Sequence, residues 1–310
     1  MSEPELHRGG AEEGSGTTEE LSDAPGGKTP AQRRSRRVKA QYITREPPLR
    51  DRLSRVARIV RVLSRTDFKL KYAGSLLGYV WSVMKPLLYF GILWVVFQSI
   101  FRSEIRHFPL YLIIGLVLWT FVADAVAATL PSIVARGSIL RRISFPPIVI
   151  PLASTLTALM SFVVNLLVVV VFVAAARLTP SPSWILLLPL FIELYLFVLG
   201  LTLVAATLYV RFRDVAQIWE AVTPLLFFTA PIVYPVTILP DWALPIIAFN
   251  PFVQIMQDAR QVIIGPDGGT EIPLLGGLAD HLAPLGVTAF LCLASLWLYR
   301  REAPRLAELT

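Results

Sequence analysis

Residues 143–176 read ISFPPIVIPLASTLTALMSFVVNLLVVVVFVAAA, 34 positions without one ionisable side chain. A run of 18 or more apolar residues with few or no charges reads as a membrane-spanning helix, because about 20 such residues cross the hydrocarbon core of a bilayer. The runs around it behave alike. Ala221–Pro240 and Leu282–Tyr299 carry no charge, and Leu194–Val210 is charge-free directly after Glu193. Over all 310 residues only 16% are Asp, Glu, Lys or Arg and 55% are hydrophobic, with a mean hydropathy of +0.60. A soluble domain carries about 25% charge, so the missing charge implies lipid as the solvent.

Spans are expected at about 79–101, 108–130, 147–176, 184–209, 217–238 and 281–299. Trp242–Gln257 is apolar but only 16 residues long, and Pro245 and Pro251 break it. It reads as a segment that dips into the outer leaflet and returns. Irregular backbone at that depth must be buried in protein or line an aqueous path, which gives a gate-like element. Ahead of the first span, Leu49, Leu53, Val56, Val60 and Leu63 recur at helical spacing while Arg52, Arg55, Arg58, Arg61 and Arg65 fill the other face, just after Pro47 and Pro48. A basic amphipathic helix of this kind lies in the membrane interface. The fold class is therefore an all-α integral membrane protein with six transmembrane helices, an N-terminal amphipathic interface helix and a re-entrant outer gate segment.

Residues 1–48 start acidic and turn basic at Lys28, Arg33, Arg34, Arg36, Arg37 and Lys39. They read as a disordered cytoplasmic tail, with too little apolar surface to fold alone. The interface helix takes 49–71, the six-span domain 72–300 and a cytoplasmic C-terminus 301–310. Short loops set the orientation. Arg136, Arg141, Arg142, Arg211, Arg213, Arg300, Arg301 and Arg305 fall on one side, and Arg102, Arg106, Arg177 and Arg260 on the other. The excess of arginine marks the cytoplasmic side, with both termini there. The net charge of +7 then reflects topology and lipid headgroups rather than nucleic acid.

Several chemistries are disfavoured. Cys292 is the only cysteine, so neither an intramolecular disulfide nor a cysteine metal cluster is expected. The first 40 residues have no apolar core, so no cleavable signal peptide is expected. Gly27-Lys28-Thr29 ends like a phosphate-binding loop, but Ser22 stands where its leading glycine belongs. The chain is expected to hydrolyse no ATP and to bind no cofactor of its own. His7, His107 and His281 are scattered, which argues against a membrane glycan enzyme. Asp124 and Glu193 are the intramembrane carboxylates available to an ion-coupled transporter, and no repeat is visible, which argues against that reading.

Thr66–Trp81 (TDFKLKYAGSLLGYVW) followed by Pro86 resembles the entry to the first span in type-2 ATP-binding-cassette permeases, and within them the polysaccharide branch of O-antigen, capsule and teichoic acid exporters (Wzm/TagG type). Phe145-Pro146 after Arg141-Arg142, Tyr209–Asp214 (YVRFRD) and Pro231–Pro235 (PIVYP), then Asn250-Pro251 and Arg260, resemble further stretches of that family in order and spacing. The match runs from about 50 to 300. The N-terminal extension is similar to that of actinobacterial galactan exporters.

The resemblance implies a homodimer served by two copies of a separate ABC ATPase, which binds ATP and Mg, in the cytoplasmic membrane. The translocated molecule would be a lipid-linked polysaccharide. A type-2 permease for another lipid or drug is the alternative. The resemblance makes Arg136, Arg141, Arg142, Phe145, Arg211, Arg213 and Asp214 ATPase-coupling residues, and Pro231, Tyr234, Pro235, Asn250, Pro251 and Arg260 the outer gate. Sugars stack their C–H faces on aromatic rings, so Phe90, Trp94, Phe97, Trp219, Phe228 and Tyr234 are candidates to line the channel; packing and interfacial roles compete for the same rings. Asp124 and Glu193 are expected to pair within the protein, since an exposed acid at mid-membrane costs about 2.5–3.5 kcal/mol.

Overall fold

The computed structural model describes residues 49–73, 78–100, 107–137, 146–265 and 278–308. The chain divides into two units at Arg50–Asp51, and the 1–48 tail lies outside the described residues. Every regular element among the described residues is helical: α1 (Leu49–Tyr72), α2 (Gly78–Ile100), α3 (Phe108–Thr129), α4 (Ser132–Ala135), α5 (Val149–Ala175), α6 (Leu187–Arg211), α7 (Val215–Thr229), α8 (Leu244–Ala248), α9 (Pro251–Ile264) and α10 (Leu278–Glu308), with 3-10 turns at Pro182–Leu186 and Val236–Ile238.

Among the described residues, five segments are long and apolar enough to cross a membrane: Val80–Gln98, Phe108–Thr129, Val149–Ala175, Pro182–Arg211 and His281–Ala303. They fall where apolar runs place the first four spans and the last. The remaining expected span, about 217–238, differs. Its helix, α7, stops at Thr229 after 15 residues. Pro231 supplies no backbone N–H to continue the ladder, and the chain turns through 230–235 before the 3-10 turn.

α3 is the centre of the bundle. Leu110 to Leu118 are buried without interruption, so an apolar sequence that reads as lipid-facing is in fact wrapped by protein. α5 packs along it, Phe121 stacking on Phe162 with centroids 4.7 Å apart. α6 packs antiparallel to α5, with the Thr155 and Thr202 hydroxyls 2.9 Å apart and Phe162 edge-on to Phe191.

α10 and α6 run parallel. Arg211 Nη1 reaches Glu302 Oε1 at 3.5 Å, and Cys292 Sγ donates to the Leu196 carbonyl at 3.3 Å. Gly200 allows this approach, since a Cβ there would stand 3.0 Å from Leu291 Cγ. One end of the bundle is sealed by Ile133, Ile150, Leu203, Ala206 and Tyr299. Arg136, Arg211, Arg300 and Arg301 belong to this end by their places in the chain; it is the basic end below.

α1 packs by its second half. Ser64 and Tyr72 are buried, Thr157 Oγ1 donates to the Ser64 carbonyl at 3.3 Å, and the Tyr72 hydroxyl lies 3.1 Å from Ser161 Oγ. Leu53 and Val62 remain exposed.

Candidate functional site

At the basic end, the expected coupling residues fall into two groups. Arg141, Arg142 and Phe145 lie outside the described residues. Arg136 follows α4, yet it is not presented to solvent. Its Nη2 lies 2.7 Å from Asp67 Oδ2 of α1, with both side chains mostly buried. Arg211 reaches Glu302 and also lies over the Phe212 ring at 5.1 Å. Arg213 lies over Tyr209 at 5.2 Å. Asp214 is exposed at the N-cap position of α7 without a side-chain capping bond. The turn between α6 and α7 therefore offers charges of both signs on an ordered base. Nothing in the sequence pairs Asp67 or Glu302 with these two arginines, because only the fold brings them near.

At the opposite end, the expected gate residues converge on Arg260. Its side chain is fully buried on α9. Nε donates to the Tyr111 carbonyl at 3.2 Å, Nη1 to the Pro231 carbonyl at 2.9 Å and Nη2 to the Ile232 carbonyl at 2.8 Å. The guanidinium carbon stands 3.4 Å from the Tyr111 ring centroid, a cation–π contact strengthened by desolvation. The Tyr111 hydroxyl donates to the Tyr234 carbonyl at 3.0 Å. The Tyr234 hydroxyl donates back to the Phe228 carbonyl at 2.7 Å. Thus several carbonyls released where α7 stops acquire protein donors, as backbone removed from water requires.

Asn250 caps α9, its Oδ1 accepting from Phe252 N–H at 3.0 Å, with Pro251 at the first helical position. Pro235 precedes the 3-10 turn. Sequence reading counted Arg260 with the outer-side arginines as well as in the gate; its burial removes it from that count. It missed Tyr111 and Gly115, where a Cβ would stand 2.6 Å from Arg260 Nη2.

A second polar group lies beside this cluster. Gln254 Nε2 donates to Asp258 Oδ2 at 3.0 Å, and Asp258 Oδ2 is 3.2 Å from His281 Nε2. This ties α9 to α10. Glu193 of α6 lies within electrostatic reach of both.

The aromatic candidates separate. Phe90 packs edge-on against Phe172 with centroids 4.8 Å apart, and Phe90 and Phe97 pack on the main core. Trp219 packs beside Val126, Leu130 and Ala205. These three pack against the chain's own core and stay partly exposed. Trp94 and Phe228 are exposed, and Tyr234 is half-buried. Asp124 does pair, with Lys85 of α2.

Comparison with known proteins converges on one group. An O-antigen export system permease protein RfbA of Klebsiella pneumoniae is 32% identical over 204 residues, which is 66% of this chain and 79% of that one. A Myxococcus xanthus protein of the same description is 29% identical over 245 residues, 77% of this chain and 91% of its own. The family model described as ABC-2 type transporter matches residues 58–264. That segment opens within α1, passes through the bundle core and the α6–α7 turn, and closes at the end of the Arg260 helix. With more than half its length matched, the chain belongs to the ABC-2 type transporter family, as the membrane subunit of a transporter.

Proposed function

We propose that this chain is the membrane-spanning subunit of an ATP-driven exporter that moves a lipid-linked polysaccharide across the cytoplasmic membrane, with ATP hydrolysed by a separate subunit. The observation that carries the reading is the family match over residues 58–264 together with O-antigen export permeases at 29–32% identity. The active unit is a homodimer with two ATPase copies. One protomer's helices enclose a filled core centred on α3, not a conduit, so a path wide enough for a glycan needs a second copy.

The chain crosses six times, with both termini cytoplasmic. The parallel run of α6 and α10 supports this, since the chain must recross between them, and α7 with the segment after it makes that crossing. α8 and α9 form the re-entrant outer gate. α1 lies in the interface, supported by its exposed Leu53 and Val62 beside a row of arginines. The α6–α7 turn, with Arg211, Arg213 and Asp214, and the loop from Arg136 through Arg141, Arg142 and Phe145 receive the ATPase stroke. Arg136 acts through Asp67, which joins this loop to α1.

Co-purification with a candidate ATPase in nanodiscs tests the proposal. A stable two-plus-two complex that hydrolyses ATP and exports surface polysaccharide is expected. A well-folded chain that binds no ABC ATPase overturns it.

A further inference from the structure

Lys85 Nζ and Asp124 Oδ1 are 3.0 Å apart across α2 and α3, with side chains 57% and 39% exposed. Both residues sit inside segments long and apolar enough to cross a membrane. Packing fixes their depth. Phe121 stacks on Phe162, and Phe162 is the middle residue of α5 (Val149–Ala175). Asp124 is three residues from Phe121, about 4.5 Å of helix rise. The pair thus stands inside the span, about 8 Å from the middle of α3 toward the basic end.

A charge facing hydrocarbon there costs about 2.5–3.5 kcal/mol on insertion scales, so lipid is not its neighbour. The surroundings point the same way. Trp81, Lys85 and Tyr89 follow one another at every fourth residue on one face of α2, and both rings are open, 64% and 57% exposed. Beside them α3, buried over most of its length, opens at Ala123, Asp124, Ala127 and Ala128. These short side chains leave room next to the rings. Phe90 and Phe97 are turned into the protein instead.

We propose that Trp81, Lys85, Tyr89 and Asp124 form a glycan-contacting stripe on the wall of the water-filled path. This deepens the polysaccharide-exporter reading and rests on it. The two rings present flat apolar faces to the C–H sides of sugar rings. Lys85 donates and Asp124 accepts, so together they satisfy hydroxyls of either polarity. Because the pair is neutral as a unit, it suits uncharged hydroxyl-rich rings better than a phosphate, which would call for unpaired positive charge. Each hydroxyl exchanges water for protein at a net gain of only about 0.5–1.5 kcal/mol, so a polymer is held along its length yet slides.

Two measurements test the stripe in the assembled exporter. In a C292A background, Tyr89→Cys should react with a charged, membrane-impermeant methanethiosulfonate in nanodiscs, whereas Val171→Cys, on an exposed apolar face of α5, should not. The double variant K85M/D124L removes both charges together and leaves no lone ion. It should still co-purify with the ATPase but deliver about tenfold less surface polysaccharide, labelled from a radioactive sugar precursor, and W81A should do likewise. An unreactive Tyr89→Cys, as in a dry contact between copies, or wild-type export from K85M/D124L overturns the stripe alone. A wild-type complex that exports no glycan removes the exporter reading, and the stripe with it.

Discussion

Arg260 aims each of its nitrogens at backbone, not at a carboxylate. That choice follows from where α7 stops: the carbonyls of Pro231 and Ile232 have no helical partner and no access to water. Leaving a buried acceptor unsatisfied costs about 1–3 kcal/mol. R260A should therefore destabilise the purified protein by about 2 kcal/mol or more through the orphaned Pro231 and Ile232 carbonyls, seen as a lower melting temperature in detergent. R260K should recover only a fraction, because an ammonium cannot reproduce the planar fork. Gly115 supplies a second test of the same clamp. A Cβ there meets Arg260 Nη2 at 2.6 Å and Ile232 Cγ2 at 3.1 Å, so G115A should cost about 1–3 kcal/mol by overpacking. Combined with R260A its cost should shrink, since the group it displaces is gone; strict additivity of the two melting shifts would refute a shared site.

At the scale of elements, spans were legible wherever composition alone decides them, as in the charge-free run that becomes α5. The end of α7 was not. Apolar residues continue from Ala221 to Pro240 without a charge, and hydropathy does not register the loss of hydrogen bonding at Pro231. Likewise α3 and α2 both read as apolar spans, yet α3 is enclosed by helices and α2 is open. Which aromatic rings face outward was equally hidden: Phe90 points at Phe172 because α5 happens to lie there. The coupling region shows a similar gap. Arg136 was legible as a loop arginine, but Asp67, 69 positions earlier, was not. Their bond joins α1 to the loop after α3, and its part-buried setting places it between exposed pairs, worth about 0–1 kcal/mol, and buried ones, whose breakage costs about 3–5 kcal/mol. A double-mutant cycle with D67N and R136Q should give a coupling energy of about 0.5–3 kcal/mol, and the exchange D67R/R136D should restore export relative to either single charge reversal. No rescue, with zero coupling, would mean that α1 and the loop move independently.

For the whole molecule, the decisive constraint is that α6 and α10 run the same way. Glu302 sits beside Arg211, while Asp258 holds His281 at the far end of α10. On the proposed six-span reading, a chain that leaves the basic end after α6 and re-enters at the far end before α10 crosses the bundle in between. α7 contributes about 22 Å of helix from its 15 residues, short of the roughly 30 Å of a hydrocarbon core. The remainder falls to residues 230–238, whose irregular backbone is tolerable only because Arg260, Tyr111 and Tyr234 serve its carbonyls from within the protein. Topology mapping checks this directly. In a C292A background, Arg213→Cys and Arg301→Cys should react with an impermeant maleimide only after the membrane is opened. Thr179→Cys and Trp242→Cys should react in intact cells. If Trp242→Cys instead follows Arg213→Cys, α7 turns back without crossing, and α6 and α10 run parallel only if the chain crosses after Trp242.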